Sequence, residues 1–129
     1  MTVLFVGERR SKTAKRRDWR WEDGHLAAKQ LFDALEACGF DPKTQAKFVN
    51  VHDRGGKKLI LKWEGSNPII VMGKAAQRQM EKWDTLYWVP MVHPAARGKV
   101  RGKKEYVKEV RRALNKARHL FSVPLVRHL

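Results

Sequence analysis

Thr2-Val3-Leu4-Phe5-Val6, closed by Gly7, is apolar at almost every position. A strand with one wet face alternates apolar and polar residues; an unbroken apolar run fits a strand buried on both faces. The pattern recurs at Ile69-Ile70-Val71-Met72, closed by Gly73. Two further runs, Ala46 to Val51 and Leu86 to Val92, read as a second and a fourth strand. Helical patterns lie between and after them. Leu26, Leu31, Phe32, Leu35 and Cys38 recur at helical spacing, with Asp23-Gly24 opening the helix and Gly39 at its C-terminal end. Lys74 to Trp83 places Ala76, Met80 and Trp83 on one face, and Lys103 to His119 carries a stripe of Tyr106, Val107, Val110, Leu114 and Ala117. The stretch from Lys57 to Trp63 fits a small strand or a helical turn equally well, and Glu8 to Trp21 reads as a long loop with room for a helical turn. Leu120 to Leu129, with Pro124, reads as a tail. Strands alternating with helices predict an α/β fold: a four-stranded parallel sheet covered on both faces, in three α/β/α layers.

The chain has 129 residues, the size of one domain, and 43% of them are hydrophobic, enough for one packed core. No run of about 18 apolar residues is present, so no membrane span is expected. The first residues lack a basic segment and a cleavage site, so no secretory signal is expected. A lone cysteine, Cys38, excludes an internal disulfide and a cysteine-rich metal centre. A cytoplasmic setting is the expectation, and the compact, signal-free chain suits a bacterium or a virus. No apolar helix face is left without cover, so a monomer is expected.

The formal net charge is +15. Residues 8–20 contribute +5 and residues 97–118 contribute +8, so the excess is clustered. Clustered cations point to a polyanion, most simply a nucleic acid. Arg97, Lys99, Arg101, Lys103 and Lys104 share a loop with Gly98 and Gly102, suited to following a phosphate backbone. Arg9, Arg10 and Lys12 supply a second cluster. Ligands of parallel α/β sheets bind beyond the carboxyl ends of the strands. There the sequence places Gly7-Glu8, Asn50 with His52 and Asp53, Gly73-Lys74 and His93-Pro94. A carboxylate, an amide and an imidazole are thus expected at one edge.

This ordered set resembles the uracil-DNA glycosylase superfamily. Val3-Leu4-Phe5-Val6-Gly7-Glu8 stands where that family has a buried strand and a Gly-led catalytic loop. Phe48-Val49-Asn50-Val51 is similar to its second strand, Met72-Gly73-Lys74-Ala75-Ala76 to its Gly-x-x-Ala, and Val92-His93-Pro94-Ala95 to its His-Pro motif. The similarity spans about residues 2–118. The chain departs from the family at Arg9-Arg10, where a small residue and proline are usual, at Ala95 in place of serine, and in lacking iron–sulfur cysteines.

The resemblance implies hydrolysis of the N-glycosidic bond of uracil or a related damaged base, flipped out of single- or double-stranded DNA, without a cofactor. His93 would stabilise the departing base anion, and Glu8 would orient water or stabilise the cationic sugar. Gly7 and Asn50 would bind the base, Asn50 reading its edge with a donor and an acceptor. Trp19 and Trp21 would offer stacking platforms. Ala95-Ala96 cannot wedge into an emptied base stack, which favours single strands or mismatches as substrate. Read as structure alone, Glu8 pairs with Arg9 or Arg10, Asn50 ends a strand, His93 is a loop histidine, and each tryptophan anchors a loop or core. His52 and Asp53 read as a turn, His25 as a helix start, and Asp18, Glu22 and Asp23 as alternative carboxylates. The five histidines lack close ligand spacing, so no metal site is expected. Neither a nucleophilic-serine motif nor a Gly-rich NTPase loop is present. Two other readings remain: a nucleic-acid-binding protein on this fold without hydrolysis, and a basic binding module of another doubly wound topology.

Overall fold

The computed structural model describes residues 2–63, 67–85, 87–95 and 102–122, and only the backbone of 121 and 122. Four strands form one parallel sheet: β1 (Val3–Gly7), β2 (Ala46–Asn50), β3 (Ile69–Met72) and β4 (Trp88–Met91), in the order β2-β1-β3-β4. The helices are α1 (Lys12–Arg17), α2 (Ala27–Ala37), α3 (Gly56–Trp63), α4 (Lys74–Lys82) and α5 (Lys103–Ser122), with a 3-10 turn at Trp21–Asp23.

The sheet has two dry faces, which is why its strands are continuously apolar. Val3, Phe5, Ile70, Met72, Val89 and Met91 point to one face and pack against α2 and α5 through Leu31, Leu35, Tyr106, Val110 and Leu114. Leu4, Val6, Val49, Ile69 and Val71 point to the other, under Ile60 of α3 and Ala76 and Met80 of α4. Every residue of the central strands β1 and β3 is buried. Pro90 sits on β4, an edge strand where a missing N–H costs no ladder bond, and its side chain is exposed.

Some open points of the sequence are resolved and other expectations are corrected. The loop from Glu8 to Trp21 contains α1, whose N-cap Ser11 accepts a hydrogen bond from the Ala14 N–H, and whose last turn holds Lys15, Arg16 and Arg17. It buries no residue, so no apolar period marks it. The Lys57–Trp63 ambiguity resolves as α3, anchored by buried Gly56 and Ile60. Leu26 does not belong to the apolar face of α2. It is the N-cap, at φ 55°, and is 54% exposed. The helix closes on Cys38, with Gly39 beyond it at φ 73°. The Cys38 thiol donates to the Val107 carbonyl, and burial pushes its pKa up. The last helix reaches Ser122, beyond the expected end at His119. Arg97, Lys99 and Arg101 lie outside the described residues, as do Leu86 and residues 123–129.

Candidate functional site

The carboxyl ends of all four strands open into one cavity of about 770 Å³. Glu8 follows β1, Asn50 ends β2, Met72 and Gly73 close β3, and His93 and Ala95 follow β4. The four groups that the sequence assigned to separate strand ends therefore share a wall. The first turns of α2 (Ala27, Ala28) and α4 (Lys74, Ala75, Ala76) complete it. Neither helix has a side-chain cap or an acidic residue in its first turn, although in α2 the Ala28 and Lys29 N–H groups donate to the His25 and Leu26 carbonyls. Arg9, Arg10, Lys12, Arg20 and Lys74 line it against one carboxylate, Glu8. The field of the cavity favours an anion.

Asn50 is 2% exposed and held from three sides. The Asp53 carboxylate accepts from its backbone N–H at 2.9 Å, which makes Asn50 to Asp53 a side-chain-closed turn. Its Oδ1 accepts from the Trp21 indole N–H at 3.0 Å. Gly7 lies beneath it: a Cβ at position 7 would stand 2.6 Å from Asn50 Oδ1 and 3.1 Å from Trp21 Cζ2. Glycine is required there by close approach. Because an indole N–H can only donate, the contact fixes the amide with Nδ2 left over. Among the described residues Nδ2 has no partner, and it is not sealed from solvent. The sequence expectation of a donor and an acceptor both presented to a ligand is thereby narrowed. The acceptor is committed to Trp21, and the donor is available.

His93 is constrained in a complementary way. The Ala95 backbone N–H donates to His93 Nδ1 at 3.0 Å. Nδ1 is then an acceptor, so the neutral ring carries its proton on Nε2. Burial lowers the His93 pKa below the ordinary histidine value, and the Glu8 carboxylate opposes that shift. The neutral Nε2–H tautomer is the state at neutral pH. Gly73, at φ 88°, makes room: a Cβ there would lie 3.2 Å from His93 Cβ. The approach to His93 is also clamped. Glu109 accepts from the Val92 N–H at 3.0 Å, and Arg112 donates to the Pro90 carbonyl at 2.9 Å while pairing with Glu109. Gln77 of α4 ties the ends of β3 and β4, donating to the Val71 and Met91 carbonyls.

An aromatic run leads from the core to this wall. Phe48 stacks on Phe5 at 5.6 Å and on Trp21 at 6.1 Å, and Trp21 lies 6.3 Å from the His93 ring. Trp19 also lines the cavity, but its ring packs on His25 at 4.2 Å, with the Arg17 guanidinium 5.3 Å from its centroid. Glu8 is part-exposed, 3.4 Å from Arg9 and 3.8 Å from His52 Nε2. Arg10 leans on exposed Asp18 at 3.1 Å.

No family model matches the chain, and no curated protein matches it.

The remaining predicted residues lie elsewhere. Lys103 and Lys104 open α5, and Lys103 lines a separate depression between α2 and α5. Among the described residues no group of three or more His, Cys, Asp or Glu is placed to hold a metal ion. No described helix is long and apolar enough to cross a membrane. Arg20 and Gln77 are site residues that the sequence did not single out. Lys74 was legible from its place after Gly73, whereas Arg20 and Gln77 became visible only once the chain was folded around the strand ends.

Proposed function

We propose that this cavity binds a nucleobase extruded from DNA and hydrolyses its N-glycosidic bond, with uracil or a related damaged base as substrate. The observation that carries the reading is the pair of fixed donors, Asn50 Nδ2 and His93 Nε2–H, on one wall with Glu8. Two donors suit a base edge with two carbonyl oxygens, as uracil has, and disfavour the exocyclic amine of cytosine. Trp21, already stacked on Phe48, is the aromatic surface nearest both donors.

Bond cleavage sends the electron pair of the C1′–N bond onto the base. His93 donates a hydrogen bond to the oxygen where that charge develops, as an oxyanion donor does. A neutral imidazole performs this without an ion pair to be separated later. Glu8 stabilises the cationic sugar and receives the proton released when water adds to C1′. The basic lining holds the neighbouring phosphates.

The second reading, a nucleic-acid-binding protein without hydrolysis, is favoured by one ion pair. Arg9 sits 3.4 Å from Glu8 and partly neutralises the carboxylate that the reaction needs. The two readings separate in one experiment. Labelled single- and double-stranded DNA carrying one uracil is incubated with the protein, and abasic sites are then cleaved with alkali. Strand breaks that disappear in His93→Ala support the enzyme. Salt-sensitive binding without breaks supports the binding protein.

A further inference from the structure

Beside the cavity lies a second depression of about 350 Å³, lined by Arg9, Arg10, Lys15, His52, Asp53 and Arg54. Arg9 and Arg10 line both, so that pair is the boundary between the two spaces. Three elements build it: the loop after β1, helix α1 and the turn after β2. The turn is fixed, because the Asp53 carboxylate is spent on the Asn50 N–H and the His52 N–H donates to the Glu8 carbonyl at 3.1 Å. The two loops are therefore tied to each other.

Four cations face one carboxylate, and that carboxylate already serves a backbone N–H. Lys15 and Arg54 make no ion pair among the described residues. The carboxylate partners of Arg9 and Arg10 are exposed, with side-chain exposures of 39% for Glu8 and 84% for Asp18, so a phosphate competes with both carboxylates at small cost, while Arg10 also donates to the Trp19 carbonyl at 3.4 Å. Arginines at the rim favour the planar, bidentate recognition that phosphate oxygens allow.

We propose that this groove binds the phosphodiester backbone of the nucleic-acid strand whose base enters the cavity, with Lys15 and Arg54 as its contacts and Arg9-Arg10 as the junction. The inference rests on the nucleic-acid part of the function above but not on hydrolysis. Charge patterning in the sequence directs a phosphate backbone to residues 97–104 and to Arg9, Arg10 and Lys12. Lys15 and Arg54 are distant in sequence, and only the folded chain brings them to the same groove.

The test uses the salt dependence of binding to a uracil-free single-stranded oligonucleotide, followed by fluorescence anisotropy. Removing one cation that pairs with a single-strand phosphate lowers the slope of log K against log salt by about 0.7. Lys15→Gln and Arg54→Gln are each expected to show that drop, and the double variant about twice it. Lys43→Gln, at the opposite end of the sheet before β2, is expected to leave the slope at the wild-type value. Far-UV circular dichroism confirms that each exposed-site variant is folded. Slopes for Lys15→Gln and Arg54→Gln equal to that of Lys43→Gln would overturn the proposal. Inorganic phosphate at matched ionic strength distinguishes the sources: displacement at low millimolar concentration would assign the groove to a free phosphate and overturn the strand. Strand binding with the predicted slopes but without uracil release would leave the groove standing and remove the hydrolytic function.

Discussion

Gly7→Ala is the substitution that most directly tests how the site is built. The added Cβ would stand 2.6 Å from Asn50 Oδ1, closer than a carbon approaches an oxygen, and 3.1 Å from the Trp21 ring. The Gly7 backbone cannot retreat, because β1 is hydrogen-bonded to strands on both sides. The Asn50 side chain must therefore turn away and give up the 3.0 Å bond from Trp21. Orphaning that part-buried pair costs about 1–3 kcal/mol, and crowding a packed position costs about 1–3 kcal/mol more. Since the two costs overlap, we expect a loss of about 2–4 kcal/mol and a fall in Tm of about 5–15 °C. Urea unfolding measures it. The decisive comparison is the same substitution made in Asn50→Ala. With Oδ1 gone only the Trp21 contact remains, and Gly7→Ala should cost less than half as much. Equal costs in the two backgrounds, or a cost below about 0.5 kcal/mol in the wild type, would refute the argument, because neighbours that do not touch behave additively.

Three other expectations follow from the same geometry. Gly73→Ala forces a side chain onto a φ of 88° and against His93 Cβ at 3.2 Å, so it should lower stability by about 1–3 kcal/mol in urea melts and displace the His93 ring signals in NMR spectra. Trp21→Phe keeps an aromatic ring over Phe48 but removes the N–H that orients Asn50. A stability loss of about 1 kcal/mol is expected, with a larger effect on discrimination between uracil and cytosine oligonucleotides than on overall DNA affinity. Burial holds the His93 pKa below its unfolded value, so the unfolded chain binds more protons in that window. Its contribution is fully present above the unfolded pKa of about 6.5 and is lost as pH falls through the folded pKa, so Tm should fall from pH 7 to 5 and His93→Gln should flatten the fall.

The sheet was readable because both of its faces are dry. Val3 to Val6 and Ile69 to Met72 are buried throughout, and a continuous apolar run is what such a position demands. The strand-end polar residues were readable for the same reason, since the first residue able to do chemistry follows each run. Where burial is partial or absent, the signal failed. Helix α1 buries no residue and is specified by Ser11 and its terminal cations instead of by period. Helix α3 buries only Gly56 and Ile60, too few positions to distinguish a helical from a strand period. Leu26 fits a helical period by composition alone, but the chain turns at φ 55° before the helix begins.

Within the site, identities were legible but relationships were not. Asn50 was recognisable as a polar strand end. That its acceptor belongs to Trp21, 29 residues away, is a property of the folded loop. The requirement for Gly7 likewise comes from what lies above it, not from its own φ. His93 could be named as a donor, whereas its tautomer follows from the Ala95 N–H. The basic excess was visible in the composition. Its partition between the cavity wall and the Arg9–Arg54 groove depends on the turn after β2 being fastened to the loop after β1.

The most direct test of the central claim is the release of free base. A single-stranded oligonucleotide with one uracil is incubated with excess protein, and the supernatant is assayed for uracil by mass spectrometry. Free uracil is expected from the uracil strand, none from the matching cytosine strand, and none from either with His93→Ala. An intact uracil strand recovered from a complex that demonstrably binds it would contradict the account and leave the cavity as a binding site alone.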